Sequence, residues 1–244
     1  MQKLRILVAD DHEVVRRGVV AMLSAHPNWE VCAEAADGRD AVEKAKQLKP
    51  DIVILDLGMP NLNGLEAARQ ISRLNPSHRI LILTITDTEQ VVSEVLKAGA
   101  KGYLLKTDAA RDLVTAVETL QHGSTYFNSR VGQMVLGGFL NGREPTSDSP
   151  MDGGSSLTPR EREIVQMLAE GKSSKEVAVA LNLSVKTAET HRSNIMRKLG
   201  LHSVSALVLF AVRNNIVQVP TLGKQEGATA AVLDNPIPVR DDAA

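Results

Sequence analysis

The sequence predicts a (βα)5 doubly wound parallel sheet followed by a smaller all-α domain of four helices. Three observations carry this. Five short apolar runs alternate with helical-period segments over residues 1–122. All of those runs but the second end on a polar residue. After a Gly/Ser/Pro-rich stretch, four helical segments follow one another.

The first strand is Leu4–Ala9, ending at Asp10-Asp11. Val14, Val15, Gly18, Val19, Met22 and Leu23 then recur at helical spacing. Val31–Ala35 is a second strand, turned by Asp37-Gly38; Ala41, Val42, Ala45 and Leu48 mark a helix that Pro50 stops. Ile52–Leu55 is the third strand and ends on Asp56. Gly64 opens a helix with Leu65, Ala68, Ile71 and Leu74 inward. The fourth strand, Ile80–Ile85, contains Thr84; the fifth, Gly102–Leu105, precedes Lys106 and a helix to about Gln121. Right-handed crossovers turn this series into a parallel sheet with helices on both faces.

Residues 1–122 form the first domain, 123–156 a linker, 157–218 the helical domain and 219–244 a disordered tail. Helices are expected at about 159–170, 173–181, 184–199 and 203–215. Thr158-Pro159-Arg160-Glu161 fits a capping box with proline at the first helical position. Aromatics are only 2%, so the cores must be built from Val, Ile, Leu and Ala. One cysteine, Cys32, excludes an intrachain disulfide framework. No apolar run approaches the roughly 20 residues that span a bilayer. Met1-Gln2-Lys3-Leu4-Arg5 leads into a strand without a signal-peptide core, so a cytoplasmic protein with no membrane partner is expected. Residues 155–219 carry nine Lys/Arg against five Asp/Glu, while residues 1–131 carry 16 against 17. That asymmetry points to a polyanionic partner for the second domain.

The chemistry centres on Asp51-Ile52-Val53-Ile54-Leu55-Asp56-Leu57-Gly58-Met59-Pro60. Ligands of open α/β sheets sit beyond the carboxyl ends of the strands. Asp10, Asp11, Asp56, Thr84 and Lys106 all fall there. Any one of the three acids could be a helix cap or turn residue. All five at successive strand ends fit that reading poorly. Carboxylates crowded together need a cation, and an oxygen-only set suits Mg²⁺. A lysine and a hydroxyl can hold phosphoryl oxygens, and a carboxylate can accept the phosphoryl group.

Val8-Ala9-Asp10-Asp11-His12, Leu55-Asp56-Leu57-Gly58-Met59-Pro60, Gly64, Leu83-Thr84 and Gly99-Ala100-Lys101-Gly102-Tyr103-Leu104-Leu105-Lys106 together resemble the receiver domain of two-component response regulators, which is flavodoxin-like. The resemblance implies that Asp56 is the phosphoacceptor. It implies that Asp11, Asp56 and the Gly58 carbonyl bind Mg²⁺ directly and Asp10 acts mainly through water. Thr84 and Lys106 would bind phosphoryl oxygens, and the rotamer of Tyr103 would report occupancy. Gly58 presents no side chain to the site, which leaves it open to water and small phosphodonors. His12 reads as a surface helix N-terminus rather than a base.

In the second domain, Ser173 to Ala178 begins one helix, Leu181-Asn182-Leu183-Ser184 is a turn, and Val185 begins the next, with Ser184 as its N-cap. Lys186, Glu189, Thr190, Ser193 and Arg197 share one polar face. A solvated helix has such a face too. The positive balance argues against that reading, as does a match along the domain. Leu157-Thr158-Pro159-Arg160-Glu161-Arg162-Glu163, Glu170-Gly171-Lys172-Ser173, Lys175-Glu176-Val177-Ala178, Ser184-Val185-Lys186-Thr187, His191 and Lys198-Leu199-Gly200 resemble the LuxR-type helix-turn-helix. With the receiver, this resembles the NarL/FixJ class. The resemblance implies that Glu189, Thr190 and Ser193 face bases and that Lys175, Lys186, Thr187, Arg192 and Arg197 meet phosphates of double-stranded DNA. Ala188 is smaller than the usual residue there.

From Val204 to Val212 only Ser205 is polar, so this helix must be buried on every side. By the same resemblance Val204, Leu207, Val208 and Ala211 are the expected contact of a homodimer on a two-fold site. A histidine kinase is the expected phosphodonor and RNA polymerase a further expected partner. The leading expectation is therefore a transcription regulator, not an enzyme, switched by phosphorylation of Asp56. A Mg²⁺-dependent phosphohydrolase would need a second acid close after its nucleophile, and Leu57-Gly58 offers none. A phosphorylated switch without DNA binding would not need the polar stripe.

Overall fold

The computed structural model describes residues 3–75, 77–140 and 157–217, without the side chains of 135–140. Strands β1 (Leu4–Ala9), β2 (Trp29–Ala35), β3 (Ile52–Asp56), β4 (Arg79–Thr84), β5 (Gly102–Leu105) and β6 (Tyr126–Phe127) form one parallel sheet. Their spatial order is β2-β1-β3-β4-β5-β6. Order reverses between β1 and β3, and there a crevice opens at the strand ends. Helices α1 (Glu13–Ser24), α2 (Gly38–Leu48), α3 (Gly64–Leu74), α4 (Glu89–Lys97), α5 (Ala109–Gln121) and α6 (Ser129–Leu140) cover the sheet.

Both faces of the inner strands β1, β3, β4 and β5 are buried, as a parallel sheet requires. Leu7, Ala9, Val53, Leu55, Ile80 and Ile82 point to one side, against α2, α3 and α4. Ile6, Val8, Ile52, Ile54, Leu81 and Leu83 point to the other, against α1 and α5. This period-2 alternation within continuous apolar runs fixes register, because a one-residue slip would exchange the two cores.

Two expectations need correction. The segment 123–156 is not linker from its start. Tyr126–Phe127 pairs with β5. Asn128 accepts from the Val131 N–H at 2.9 Å, and Val131 is fully buried in the core of the first domain with Met134 packed against it. Apolar spacing over 131–134 wins over the glycine-rich composition that follows. The rest of the proposed linker, 141–156, and the proposed tail, 219–244, lie outside the described residues. In addition, Leu74 is exposed, and Ala67 and Glu66 take inward positions on α3.

The second domain has helices α7 (Pro159–Ala169), α8 (Ser174–Leu181), α9 (Val185–Lys198) and α10 (Val204–Arg213). Thr158 and Glu161 form the expected capping box, and Ser173 and Glu176 form another. Asn182 turns the chain between α8 and α9 at φ 51°, a left-handed conformation that asparagine tolerates. Ile164, Val165, Met167, Val177, Ala188, Ile195, Leu207 and Ala211 form the core. Among the described residues no helix is long and apolar enough to cross a membrane.

Gly64 sets how closely α3 approaches β3. A Cβ there would stand 1.9 Å from the Asp56 carbonyl oxygen and 2.7 Å from its carbon. Gly64→Ala is therefore expected to cost about 1–3 kcal/mol or more, the range for overpacking, in a urea melt. An unchanged midpoint would show that the close approach is not required.

Candidate phosphoryl site and DNA-facing surface

Asp10 and Asp56 sit beside each other because Ala9 is in register with Leu55 at the ends of β1 and β3. Both carboxylates are buried, 2% and 4% exposed. Lys106, just past β5, places its Nζ 2.8 Å from Asp10 Oδ2 and 3.0 Å from Asp56 Oδ2. Its backbone N–H donates to the Thr84 carbonyl at 2.8 Å. Thr84, fully buried at the end of β4, accepts at Oγ1 from the Thr86 N–H at 3.2 Å. Asp11 is more open, and the Nδ1 of His12 lies 2.8 Å from its Oδ1. Ligand atoms of Asp10, Asp11, His12 and Asp56 all lie within 4.8 Å of one another.

Electrostatics follow from that geometry. Burial pushes the Asp56 carboxyl above its ordinary range; Lys106 opposes this, Asp10 adds to it, and the Gly58 N–H stabilises the anion. Lys106 is itself desolvated, yet Asp56 and Asp10 raise it overall, so its ammonium is held firmly charged. Two carboxylates share one lysine, and Asp11 stands beside them. The surplus of negative charge and the all-oxygen carboxylate set fit a hard divalent cation. Tyr103 is buried on the sheet face toward α4, and its hydroxyl donates to the Thr86 carbonyl in the β4–α4 loop. It therefore ties that loop to β5.

His12 occupies the N-cap position of α1, as the sequence suggests, and it also touches both acids. One support escaped sequence reasoning. Arg16 Nη1 donates to the Asp10 carbonyl at 2.6 Å and its Nε pairs with Glu34 at 3.2 Å, anchoring the backbone under Asp10.

On the second domain, Lys186, Thr187, Glu189, Thr190, Ser193 and Arg197 are exposed on α9, Arg192 is half-buried, and Lys175 is exposed on α8. Ser184 accepts from the Thr187 N–H at 3.0 Å, fixing the start of α9. Thr190 Oγ1 donates to the Lys186 carbonyl at 2.8 Å. On α10, Leu207 and Ala211 are 1% and 0% exposed and belong to their own core. They are not available for a dimer contact. Val204 and Leu209 are exposed and Val208 half-exposed, so any partner meets that side. A helix apolar all round carries no phase from which sequence could choose the outer face.

Residues 6–118 match the response regulator receiver domain family. Residues 155–211 match the family described as bacterial regulatory proteins, luxR family. The oxygen regulatory protein NreC of Staphylococcus epidermidis is 40% identical over 217 residues, covering 88% of this chain and all of NreC. Among solved structures, Salmonella typhimurium RcsB aligns over 88% of this chain and 99% of its own at 27% identity, with a TM-score of 0.56. A LuxR-family two-component response regulator from Aurantimonas aligns over 57% of this chain and 99% of its own at 32% identity, TM-score 0.54. This chain belongs to the LuxR-type two-component response regulators. As such it is a DNA-binding transcription regulator and not an enzyme.

In this response regulator the two domains meet at the loop between β3 and α3. Gln166 of α7 is 2% exposed. Its Nε2 donates to the Met59 carbonyl at 3.0 Å and its Oε1 accepts from the Asn63 N–H at 2.8 Å. Asn63 Nδ2 donates to the Ile216 carbonyl at 3.0 Å. Glu163 accepts from Arg39 and from Gln70, each at 3.0 Å. Lys172 donates to the Asn61 side chain, and Glu170 accepts from the Asn61 N–H at 3.3 Å. In the sequence Met59, Glu163, Glu170 and Lys172 stand only as parts of motifs, and none of these residues is marked there as a domain contact. Glu163, Gln166 and Glu170 form a polar stripe at i, i+3, i+7, the same signal that a solvated face gives.

The raised Asp56 pKa has a definite sign. The folded protein holds that proton more tightly than the unfolded chain. The stabilisation is full below the unfolded pKa and is lost as pH rises through the folded one. Ionised Asp56 therefore costs stability at neutral pH. Asp56→Asn is expected to raise the metal-free melting temperature at pH 7, with Lys106 still paired to Asp10. The gain should shrink toward pH 4. A variant less stable than wild type at pH 7 would contradict this sign.

Proposed function

We propose that Asp56 accepts a phosphoryl group from a histidine kinase and that this controls dimeric, sequence-specific DNA binding. The observation that carries the reading is Asp56 itself, buried beside Asp10 and 3.0 Å from Lys106, on a chain whose α9 exposes a polar face. An Asp56 oxygen attacks the phosphorus of the kinase phosphohistidine. The P–N bond breaks as the P–O bond forms, and the imidazole nitrogen keeps the electron pair and takes up a proton. Lys106 and Thr84 hold the phosphoryl oxygens. Asp11, Asp56 and the Gly58 carbonyl would hold Mg²⁺, with Asp10 acting through water, and the ion would supply charge neutralisation for an already acidic site.

Once phosphorylated, the site gains about −1.5 to −2 charge at pH 7. Thr84 and Lys106 answer this at the ends of β4 and β5, and Tyr103 couples the β4–α4 loop to the same change. On DNA, Glu189, Thr190 and Ser193 read base edges, with Glu189 accepting from a cytosine amino group. Lys175, Lys186, Thr187, Arg192 and Arg197 meet phosphates. Val204 and Val208, with exposed Leu209, make the contact between two output domains. An RcsB–DNA complex, 27% identical over 87% of this chain with a TM-score of 0.53, supports the placement on DNA. The chain works in the cytoplasm, where kinase and DNA are both within reach, and RNA polymerase is the partner that would read its position.

Metal binding, DNA selection and single-residue variants of α9 test this. Mg²⁺ at 100 times its dissociation constant is expected to stabilise the wild type by about 2.7 kcal/mol, and Asp11→Asn to lose most of that gain. In selection from a random-duplex library, phosphodonor and Mg²⁺ should sharpen wild-type binding toward a two-fold motif, while Asp56→Ala stays unchanged. Lys186→Ala should weaken all sequences alike and flatten the salt dependence, whereas Ser193→Ala should relax one position by about 1–3 kcal/mol. The same motif from wild type and Asp56→Ala, with or without donor, would end the switch reading.

A further inference from the structure

His12 stands at a helix-capping position without capping the helix. Short side chains with an acceptor oxygen are preferred there, and histidine is not one of them. His12 has the extended backbone of an N-cap, φ −84° and ψ 101°, but its side chain makes no cap hydrogen bond to α1. The ring turns back toward the strand ends. Its Nδ1 lies 2.8 Å from Asp11 Oδ1 and 3.3 Å from Asp10 Oδ1. The His12 backbone N–H also donates to Asp10 Oδ1 at 2.8 Å, which fixes the backbone from which the ring is aimed. Helix formation therefore gives no reason for an imidazole here, and its neighbours do.

A hydrogen bond to Asp11 is one thing such a ring can make. The distances also describe another. A six-coordinate divalent ion with bonds of about 2.1 Å has neighbouring ligand atoms about 3.0 Å apart and opposite ones about 4.2 Å apart. Nδ1 stands close to the shorter spacing from one oxygen of each acid, and ligand atoms of Asp10, Asp11, His12 and Asp56 all fall within 4.8 Å of one another. Asp10 is 2% exposed and aims Oδ2 into the same space, with the Lys106 ammonium at 2.8 Å and no other donor among the described residues. The way in is open. The His12 side chain is 65% exposed, and Asp11 and Gly58 line a cleft of about 230 Å³.

We infer that His12 is a nitrogen ligand of the divalent site at Asp10, Asp11 and Asp56, which makes that site selective for later first-row ions such as Co²⁺, Ni²⁺ or Zn²⁺ over Mg²⁺. The inference rests on the acidic cluster being the metal site. Mg²⁺ is a hard ion that prefers oxygen and gives up water reluctantly, so an imidazole adds little to its binding. Imidazole suits the later first-row ions, whose affinity for nitrogen and oxygen sites rises from Mn²⁺ to Ni²⁺. His12 thus strengthens the site for one class of ion and leaves it as it was for the other. Both classes need the same carboxylates, so they compete, and one of the groups they compete for is Asp56.

The test is calorimetric titration of the full chain, carrying no affinity tag, with Ni²⁺ and with Mg²⁺. His12→Gln and His12→Ala are expected to weaken Ni²⁺ binding by roughly tenfold or more, the low end of what even a residue hydrogen-bonded to a metal ligand contributes, and to leave Mg²⁺ affinity unchanged. Asp11→Asn should weaken both ions, and excess Mg²⁺ should displace Ni²⁺ from the wild type. Cu²⁺ at one equivalent reads the ligand directly: its electron paramagnetic resonance spectrum should show coupling to a nitrogen that His12→Gln removes. Because His12 is exposed, unchanged Mg²⁺ binding also shows that the variant pocket is intact. Ni²⁺ affinity that is the same with and without His12 would overturn the inference. So would an equal loss for Ni²⁺ and Mg²⁺, since the ring would then act only by holding Asp11. Ni²⁺ and Mg²⁺ binding that both ignore Asp11→Asn would instead refute the acidic cluster as the metal site, which separates the two failures.

Discussion

Lys106 between Asp10 and Asp56 is the interaction on which the rest of the receiver depends. Two buried carboxylates at adjacent strand ends repel each other, and burial raises the cost of each. The ammonium 2.8 and 3.0 Å away makes them tolerable. It also links β1, β3 and β5 at their carboxyl ends. The pair is undercompensated by design of the sheet, since the strand order puts Asp10, Asp11 and Asp56 at the reversal between β1 and β3. An environment that disfavours the charge it holds is one that a cation or a phosphoryl group can stabilise by binding.

Most of this was legible because it is written in strand ends. A buried parallel strand reads as a short apolar run, and the first polar residue after it must be at the sheet edge. That logic places Asp10, Asp56, Thr84 and Lys106 at one edge of the sheet from the sequence alone. Helix starts were legible for a similar reason: Thr158, Ser173 and Ser184 each accept a backbone N–H three residues on. What failed had no phase or the wrong prior. α10 is apolar on every side, so its pattern could not choose between Leu207 and Val208 as the inward position. The strand at Tyr126–Phe127 is two residues long and holds no periodicity. The helix after it was hidden by glycines at 137 and 138. Above all, the domain junction was invisible, because buried polar stripes and solvated ones look alike until a partner surface is present.

That junction is polar in a telling way. Its central bonds run from side-chain amides to backbone groups of a loop, and its Arg39–Glu163 ion pair, with the Gln70 amide, sits to one side. Interfaces between domains of one chain resemble transient contacts, more polar than cores. Hydrogen bonds exchanged for water contribute only about 0.5–1.5 kcal/mol net each. A handful of them holds the two domains together with a net stabilisation of a few kcal/mol at about that value per bond.

The docked arrangement also constrains what regulation can consist of. With α9 already exposed and the outer side of α10 carrying Val204 and Leu209 in the open, neither reading nor pairing surface needs to be uncovered. What docking removes is freedom. An output domain fastened to its receiver samples one position, whereas a released one searches the volume that its tether allows. Under the proposed function, two released domains brought together would meet both halves of a two-fold site at high effective concentration. Release and pairing then reinforce each other, because each half-site bound by one domain raises the local supply of the second. Under the proposed function, a junction of this kind that opened on phosphorylation would be sufficient to turn one carboxylate's charge into a change in DNA occupancy.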